Sequence, residues 1–323
     1  MKITGTFLDE ISHDIPHQNW GYQEWDRDFQ SMKAIGIDTV IMIRCGWKHW
    51  MTYPSKVLNK EMGCFIPPED LLKMFLELAG KYHIDFFFGL YDSHKYWGGG
   101  EPQKEIDISK KVIEEVWKEY GHYPAFKGWY LSWEISRKME GIIDLYAGVG
   151  KFCKEISGNL PTLISPGIQG SKAISQFVSQ TSQDKSSCIT PEAHEKEWDE
   201  IMAGLKGAVD IVAFQDGHID FNEAEEFLCL NKELGDRHGL RSWTNTESFD
   251  RDMPIKFLPI KWEKLLLKLK AAEKAGMEKS ITFEFSHFMS PNSSYPQAHG
   301  LFDRYCDYHE CPVRIPNKSQ KND

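Results

Sequence analysis

Two glutamates, each closing a short aromatic-rich stretch, set the chemistry open to this chain. Glu247 ends Leu240-Arg241-Ser242-Trp243-Thr244-Asn245-Thr246-Glu247, and Glu134 ends Phe126-Lys127-Gly128-Trp129-Tyr130-Leu131-Ser132-Trp133-Glu134. Each stretch reads as a strand followed by a helical pattern. A carboxylate at the end of an apolar run is costly to bury without a partner. A structural ion pair, for example to Arg44 or Arg241, is one explanation. Paired-carboxyl chemistry is the other. Glycoside hydrolysis takes two carboxyl groups flanking one bond, one protonated and one ionised. An apolar setting or a neighbouring charge raises the pKa of the first. Trp133 beside Glu134 supplies an apolar setting, and Asn245 and Arg44 are candidate donors to keep Glu247 ionised. A separation of roughly 5–5.5 Å would mean retention at the anomeric carbon, and roughly 6.5–9.5 Å inversion.

Such a pair has to be held by strands. The sequence predicts strands starting near residues 3, 37, 84, 126, 161, 209, 240 and 279, with a helical pattern after each. Ile37 to Arg44 is nearly continuous in apolar residues, as a buried parallel strand requires. Trp25, Phe29, Met32 and Ile35 share one helical face. Pro68 reads as the opening of a helix, and Asn222 as the cap of one with Glu223, Glu225 and Glu226 in its first turn. Residues 45–67 and 92–103 read as loops. Residues 169–195 form a long Ser/Gln-rich stretch that fits a lid or a disordered segment. Eight β-then-α units in one chain point to an α/β fold, a (β/α)8 TIM barrel in a single domain over residues 1–310 with a polar tail at 311–323. An open doubly wound sheet is disfavoured, because Asp9-Glu10 stands where a glycine-rich dinucleotide loop would follow strand one.

In such a barrel the site lies at the C-terminal strand ends. Side-chain alternation groups Tyr130, Ser132 and Glu134 on one face, and Trp243, Asn245 and Glu247 on another. Glu134 and Glu247 are the expected catalytic residues. Glu10, Arg44, Tyr91, Asp92, Gln215, Asp216, Asn245, Glu284 and His287, with Trp47, Trp133 and Trp243, are the expected substrate contacts. Trp50 and Trp97 are further stacking candidates, because the apolar face of a sugar ring fits a flat indole with a polar edge. Trp25, Trp117, Trp198 and Trp262 fall on helical patterns and read as packing.

Composition narrows the partners. Formal net charge is −10 with Lys and Arg scattered, so neither nucleic acid nor an anionic membrane is an expected partner. The seven cysteines are odd in number and contain no CxxC, which argues against a zinc framework or disulfide scaffold. No cofactor is expected: the Gly98-Gly99-Gly100 run lacks the Lys and Ser/Thr of a phosphate loop. Met1-Lys2-Ile3-Thr4 runs straight into strand one without an apolar leader. That reads as a cytoplasmic chain, or as a secreted or periplasmic one whose leader has been removed.

Glutamates ending strands four and seven resemble the large superfamily of retaining TIM-barrel glycosidases. More closely, Gly5-Thr6-Phe7-Leu8-Asp9-Glu10, Gln18-Asn19-Trp20, Gly128-Trp129-Tyr130-Leu131-Ser132-Trp133-Glu134 and Phe214-Gln215-Asp216-Gly217 resemble an uncharacterised bacterial family provisionally classed as glycosyl hydrolases. The superfamily resemblance implies Glu134 as acid/base and Glu247 as nucleophile, acting on the O-glycosidic bonds of an oligo- or polysaccharide. The superfamily carries Asn before its acid/base, where it contacts the sugar 2-hydroxyl. This chain has Trp133 there, so either another residue such as Gln215 or Asn245 makes that contact or the site takes a different sugar geometry.

Two other functions fit some of these residues. His49, His94, His218 and His287, with Asp92, Asp216 and Glu284, could make a divalent-metal barrel enzyme acting on a sugar or phosphodiester. No HxH or HExxH spacing supports it. A non-catalytic carbohydrate-binding barrel is the third reading. A serine acyl-transfer site lacks its G-x-S-x-G elbow.

Overall fold

The computed structural model describes residues 1–12, 15–173, 188–251 and 257–312. Its main elements are β1 Ile3–Leu8, α1 Tyr22–Ala34, β2 Thr39–Met42, α2 Lys56–Met62, α3 Leu71–Tyr82, β3 Asp85–Gly89, α4 Pro102–Tyr120, β4 Phe126–Tyr130 and α5 Ile142–Ile156. Then follow β5 Thr162–Ile164, α6 Pro191–Gly204, β6 Ile211–Gln215, α7 Ala224–His238, β7 Arg241–Asn245, α8 Trp262–Lys274, β8 Lys279–Thr282, α9 Phe285–Phe288 and α10 Pro296–His309. β1 to β8 pair in sequence order, all parallel, and β8 returns to β1 through Thr6 and Thr282, so the sheet is a closed barrel. The fold is the (β/α)8 barrel read from the eight strand patterns.

Alternation along the strands makes two cores. Phe7, Ile41, Phe87, Tyr130, Leu163, Ile211, Trp243 and Ile281 point inward and fill the barrel. Val40, Met42, Phe86, Phe88, Trp129, Val212 and Phe214 point outward under the helices. Gly128 is fixed by this packing: a Cβ there would lie 2.2 Å from the Phe87 ring. The filled interior leaves the functional groups only the strand ends and the loops beyond them.

Several local expectations shift. The stretch 45–67 is not a plain loop. It holds a hairpin, Gly46–Trp47 with Trp50–Met51, that joins Tyr91–Asp92 in a three-stranded sheet, and then α2, capped by Ser55. Pro68 lies before α3, whose cap is Asp70, accepting from the Lys73 N–H at 2.9 Å. Glu223 rather than Asn222 precedes α7, and its carboxylate accepts from the N–H of Asp220 (2.7 Å) and of Ser171 (2.7 Å). The expected tail from 313 onward and positions 174–187 of the Ser/Gln-rich stretch lie outside the described residues. Among the described residues no helix is long and apolar enough to cross a membrane. All seven cysteines are free thiols.

Candidate active site

Beyond Tyr130 the chain continues to Glu134 with strand parity kept. Tyr130 belongs to the barrel interior, while Leu131 and Trp133 belong to the outer core. Glu134 is thereby turned to the mouth. Tyr130 donates its hydroxyl to Glu134 Oε1 at 3.0 Å, and Arg44 Nη2 lies 3.4 Å from Oε2. The Trp133 carbonyl just before it accepts from the Tyr146 hydroxyl, which ties down the backbone. Glu134 faces the open mouth, with 31% of its side chain reached by solvent, while the barrel end crowds around its base. That crowding pushes its carboxyl above the ordinary range. The Arg44 charge and the Tyr130 hydrogen bond pull it down, and Asp9 and Asp92 push it up again.

Arg44 therefore serves Glu134, not Glu247 as the sequence reading had it, and Asp92 and Asp9 also act on it. Asp92 is fixed by the N–H of His94 (2.7 Å) and the indole N–H of Trp97 (2.8 Å). Asp9 Oδ1 accepts from the N–H groups of Ile11 (3.0 Å) and Ser12 (2.9 Å). Among the described residues, Asp9 Oδ2 and Arg44 Nε are buried without a protein partner. Buried polar atoms are normally satisfied, so these two are positioned for a ligand or water.

Glu247 stands in a different setting. Its side chain is 3% exposed and forms a two-pronged pair with Arg251, Nε to Oε2 and Nη2 to Oε1, both at 2.7 Å. Its N–H donates to Asp216 Oδ1 at 3.0 Å, and Lys268 from α8 reaches both Asp216 (2.8 Å) and the Glu247 carbonyl (3.2 Å). Burial alone would raise the Glu247 carboxyl. The Arg251 guanidinium outweighs it, with help from Lys268, and holds the group below the ordinary carboxylate range. Gly217 permits this: a Cβ there would fall 1.8 Å from Glu247 Oε2. Asp216, Gly217, Phe249, Arg251 and Lys268 line the narrow crevice around it. The charges acting most on the two glutamates thus differ, with Arg44, Asp9 and Asp92 around Glu134, and Arg251 and Lys268 around Glu247.

A third cluster occupies the ends of β1 and β8. Glu284, after a cis Phe283–Glu284 peptide, caps α9 by accepting from the N–H groups of Ser286 (3.0 Å) and His287 (2.7 Å). His287 binds Glu284 Oε1 through Nδ1 and the Pro16 carbonyl through Nε2 (2.9 Å). Both partners are acceptors, so both ring nitrogens carry protons. Burial opposes that charge, but Glu284 more than restores it, raising the His287 pKa to about 9. Glu10 is raised to about 7, first by burial and then by the Glu284 and Asp9 charges, against the pull of His287 and the Gln18 N–H.

The remaining expected contacts divide. Trp133 is fully buried, its indole N–H donating to Glu105 at 3.2 Å, so it backs Glu134 and does not face the mouth. Tyr91 is also buried, its hydroxyl donating to the Lys48 carbonyl at 2.6 Å. Trp243 is inside the barrel against Phe87. Asn245 donates to Ser165 Oγ (3.1 Å), and Gln215 to the Ser165 carbonyl (2.8 Å). Trp47 is half-buried beside His94. Asp9, Tyr130, Arg251, Lys268 and Glu105 complete the site and were not among the expected site residues. Asp9 and Tyr130 had a signal in strand parity, whereas Arg251, Lys268 and Glu105 arrive from a loop and two helices. Among the described residues, no group of three or more His, Cys, Asp or Glu side chains is placed to hold a metal ion.

Comparison with known proteins sets this geometry among relatives. The model of a family described as a domain of unknown function, DUF4434, matches residues 3–295. No curated protein matches. A Bacteroides thetaiotaomicron crystal structure, provisionally described as an alpha-L-fucosidase, is 58% identical at a TM-score of 0.91, over 96% of this chain and 94% of that one. An endo-1,4-beta-D-mannanase from Thermotoga petrophila matches at a TM-score of 0.56 and 11% identity, over 94% of this chain and 98% of its own. A GH2 beta-galacturonidase from Eisenbergiella tayi matches at 0.56 and 11%, over 95% of this chain but 51% of its own. The last two share the fold. On the family match and the close structural relative together, this chain belongs to the DUF4434 family.

Proposed function

We propose that this protein is a glycoside hydrolase in which Glu134 donates a proton to the leaving oxygen and Glu247 is the ionised carboxylate that attacks the anomeric carbon. One observation carries the reading: two strand-end glutamates in one barrel have their proton affinities pushed in opposite directions, Glu134 up and Glu247 down. Such a split is how two chemically identical groups take acid and base roles at one pH. In a retaining cycle the glycosidic C–O bond breaks as Glu134 protonates the departing oxygen and Glu247 bonds to the anomeric carbon. Glu134, now ionised, then takes a proton from water, which displaces Glu247. No metal or redox partner is needed for this balance. The relative's description makes an α-L-fucoside the first substrate to try.

A second assignment rests on a specific observation. Asp9 is among the charges that act most on Glu134, and among the described residues its Oδ2 is buried and unpartnered. Asp9 is therefore the competing ionised partner. Azide separates the two. In a variant lacking the attacking carboxylate, azide can enter the gap and restore turnover as a glycosyl azide. We expect Glu247→Ala to lose activity on an aryl glycoside and to regain it with azide, and Asp9→Ala not to be rescued. Rescue of Asp9→Ala alone would move the role to Asp9. Full activity of Glu247→Ala without azide would remove Glu247 from the mechanism.

A further inference from the structure

Two residues beyond Arg44, the small sheet of Gly46–Trp47, Trp50–Met51 and Tyr91–Asp92 stands at the barrel rim. Trp47 is paired with Trp50 across the antiparallel hairpin and with Asp92 along the parallel edge. Directly paired residues project from the same face of a sheet. Trp50, Trp47 and Asp92 therefore form a row on one face. The opposite face carries Met51, Gly46 and Tyr91 and packs into the outer core, where a Cβ on Gly46 would meet the Tyr91 ring at 2.8 Å. A sheet with one face on the core usually turns polar residues to water on the other. This one turns two tryptophans.

Exposure rises along the row, from Asp92 at 5% through half-buried Trp47 to Trp50 at 57%. Phe65, 60% exposed, lies 5.2 Å from the Trp50 ring and widens the outer end. The Phe65 N–H donates to the His49 carbonyl at 2.8 Å, which holds this aromatic pair in place. Lys48 lies 4.0 Å over the Trp47 ring, so Trp50 and Phe65 are the open platform. The inner end of the row joins the candidate site: just beyond Arg44 the Cys45 N–H donates to the Gly89 carbonyl at 2.8 Å, Gly46–Trp47 pairs with Tyr91–Asp92, and Asp92 acts on both Arg44 and Glu134.

We infer that the Asp92–Trp47–Trp50 row is a binding strip for the sugar chain that extends beyond the cleaved bond, and that the ligand is an uncharged oligosaccharide of several units. This deepens the hydrolase reading and rests on it for the position of the bond. The C–H face of a pyranose lies flat on an indole while its hydroxyls stay in water, and aromatic side chains with one apolar and one wet side suit that role. Asp9 and Asp92 offset the Arg44 and Lys48 charges at this end, and a strip without an excess of either sign suits an uncharged chain. A second copy of the chain is the competing occupant of an exposed aromatic patch. Continuity with the Arg44–Glu134 cluster favours the glycan.

Native gels cast with soluble mannan, xylan or fucosylated xyloglucan test this directly. The wild type is expected to be retarded by at least one of them, Trp50→Ala about tenfold more weakly, and Phe65→Ala in between. Trp50 is exposed, and circular dichroism checks that the variant is folded. No retardation of the wild type in any gel overturns the inference, as does equal retardation of Trp50→Ala. A dimer in light scattering that Trp50→Ala dissolves overturns it too. Cleavage is read separately, by product mass after incubation with the same polysaccharides and on aryl glycosides. Retention through Trp50 without any cleavage keeps the strip and loses the hydrolase reading. Cleavage with unchanged binding by Trp50→Ala loses the strip alone.

Discussion

Glu134 is held between opposing influences, and each can be removed singly. Crowding favours its protonated form, while the Arg44 guanidinium favours the ionised one. Arg44→Met keeps most of the apolar stem and removes the charge. Asp9 and Asp92 remain and still push the proton affinity up. The expected outcome is a basic limb of the kcat/KM profile moved to higher pH by roughly one unit, since a nearby opposite charge lowers a carboxyl by about 1–3. The pH–rate profile checks this, and a limb that stays or moves down contradicts the Glu134 assignment. At this scale the sequence was informative where parity applies. Glu134 and Trp133 have opposite parity, and that alone turns Trp133 away from the mouth. Arg251 and Lys268 follow no such rule, because loop conformation and helix rotation deliver them to Glu247 and Asp216.

Among the elements, α9 is the clearest case of a charge pair building local structure. Glu284 caps it, and His287 in its single turn binds back to Glu284 and across to Pro16. The His287 pKa is raised from an ordinary 6.5 to about 9. A raised histidine stabilises the fold fully below the unfolded value, and that contribution disappears as pH rises through the folded value. Wild-type melting temperature should therefore exceed that of His287→Gln below about pH 6.5, with the gap closing toward pH 9 and above. A gap constant from pH 6 to 10 would show that His287 does not carry this charge. Element type and order were readable from periodicity and from caps such as Gly239, which has φ 70°. The hairpin and α2 within 45–67 were not, because two-residue strands carry no period. Trp47 and Trp50 were readable as stacking candidates, but their pairing into a row was hidden with the hairpin.

For the whole molecule, closure of the barrel brings scattered strand-end residues to one rim. Residues from β1 and β8 at one side, β2 to β4 at another, and β6 to β7 at a third bring three clusters of carboxylates to the same rim. The inward core of Phe7, Phe87, Tyr130 and Trp243 forms the floor beneath them. Eight apolar runs at a regular spacing were enough to read that architecture from the sequence. The grouping of the carboxylates was not readable, since it depends on which basic side chain reaches which acid.

The central claim is that Glu134 supplies a proton to the leaving oxygen. A leaving group that departs readily as an anion does not need that proton, whereas an alkoxide does. Turnover of Glu134→Ala on a dinitrophenyl glycoside and on a disaccharide of the same sugar, each relative to wild type, measures the difference. The account predicts a loss of about 10²–10⁴ on the disaccharide and little loss on the dinitrophenyl glycoside in the step that releases the phenol. An equal loss on both substrates, or none on either, would contradict it.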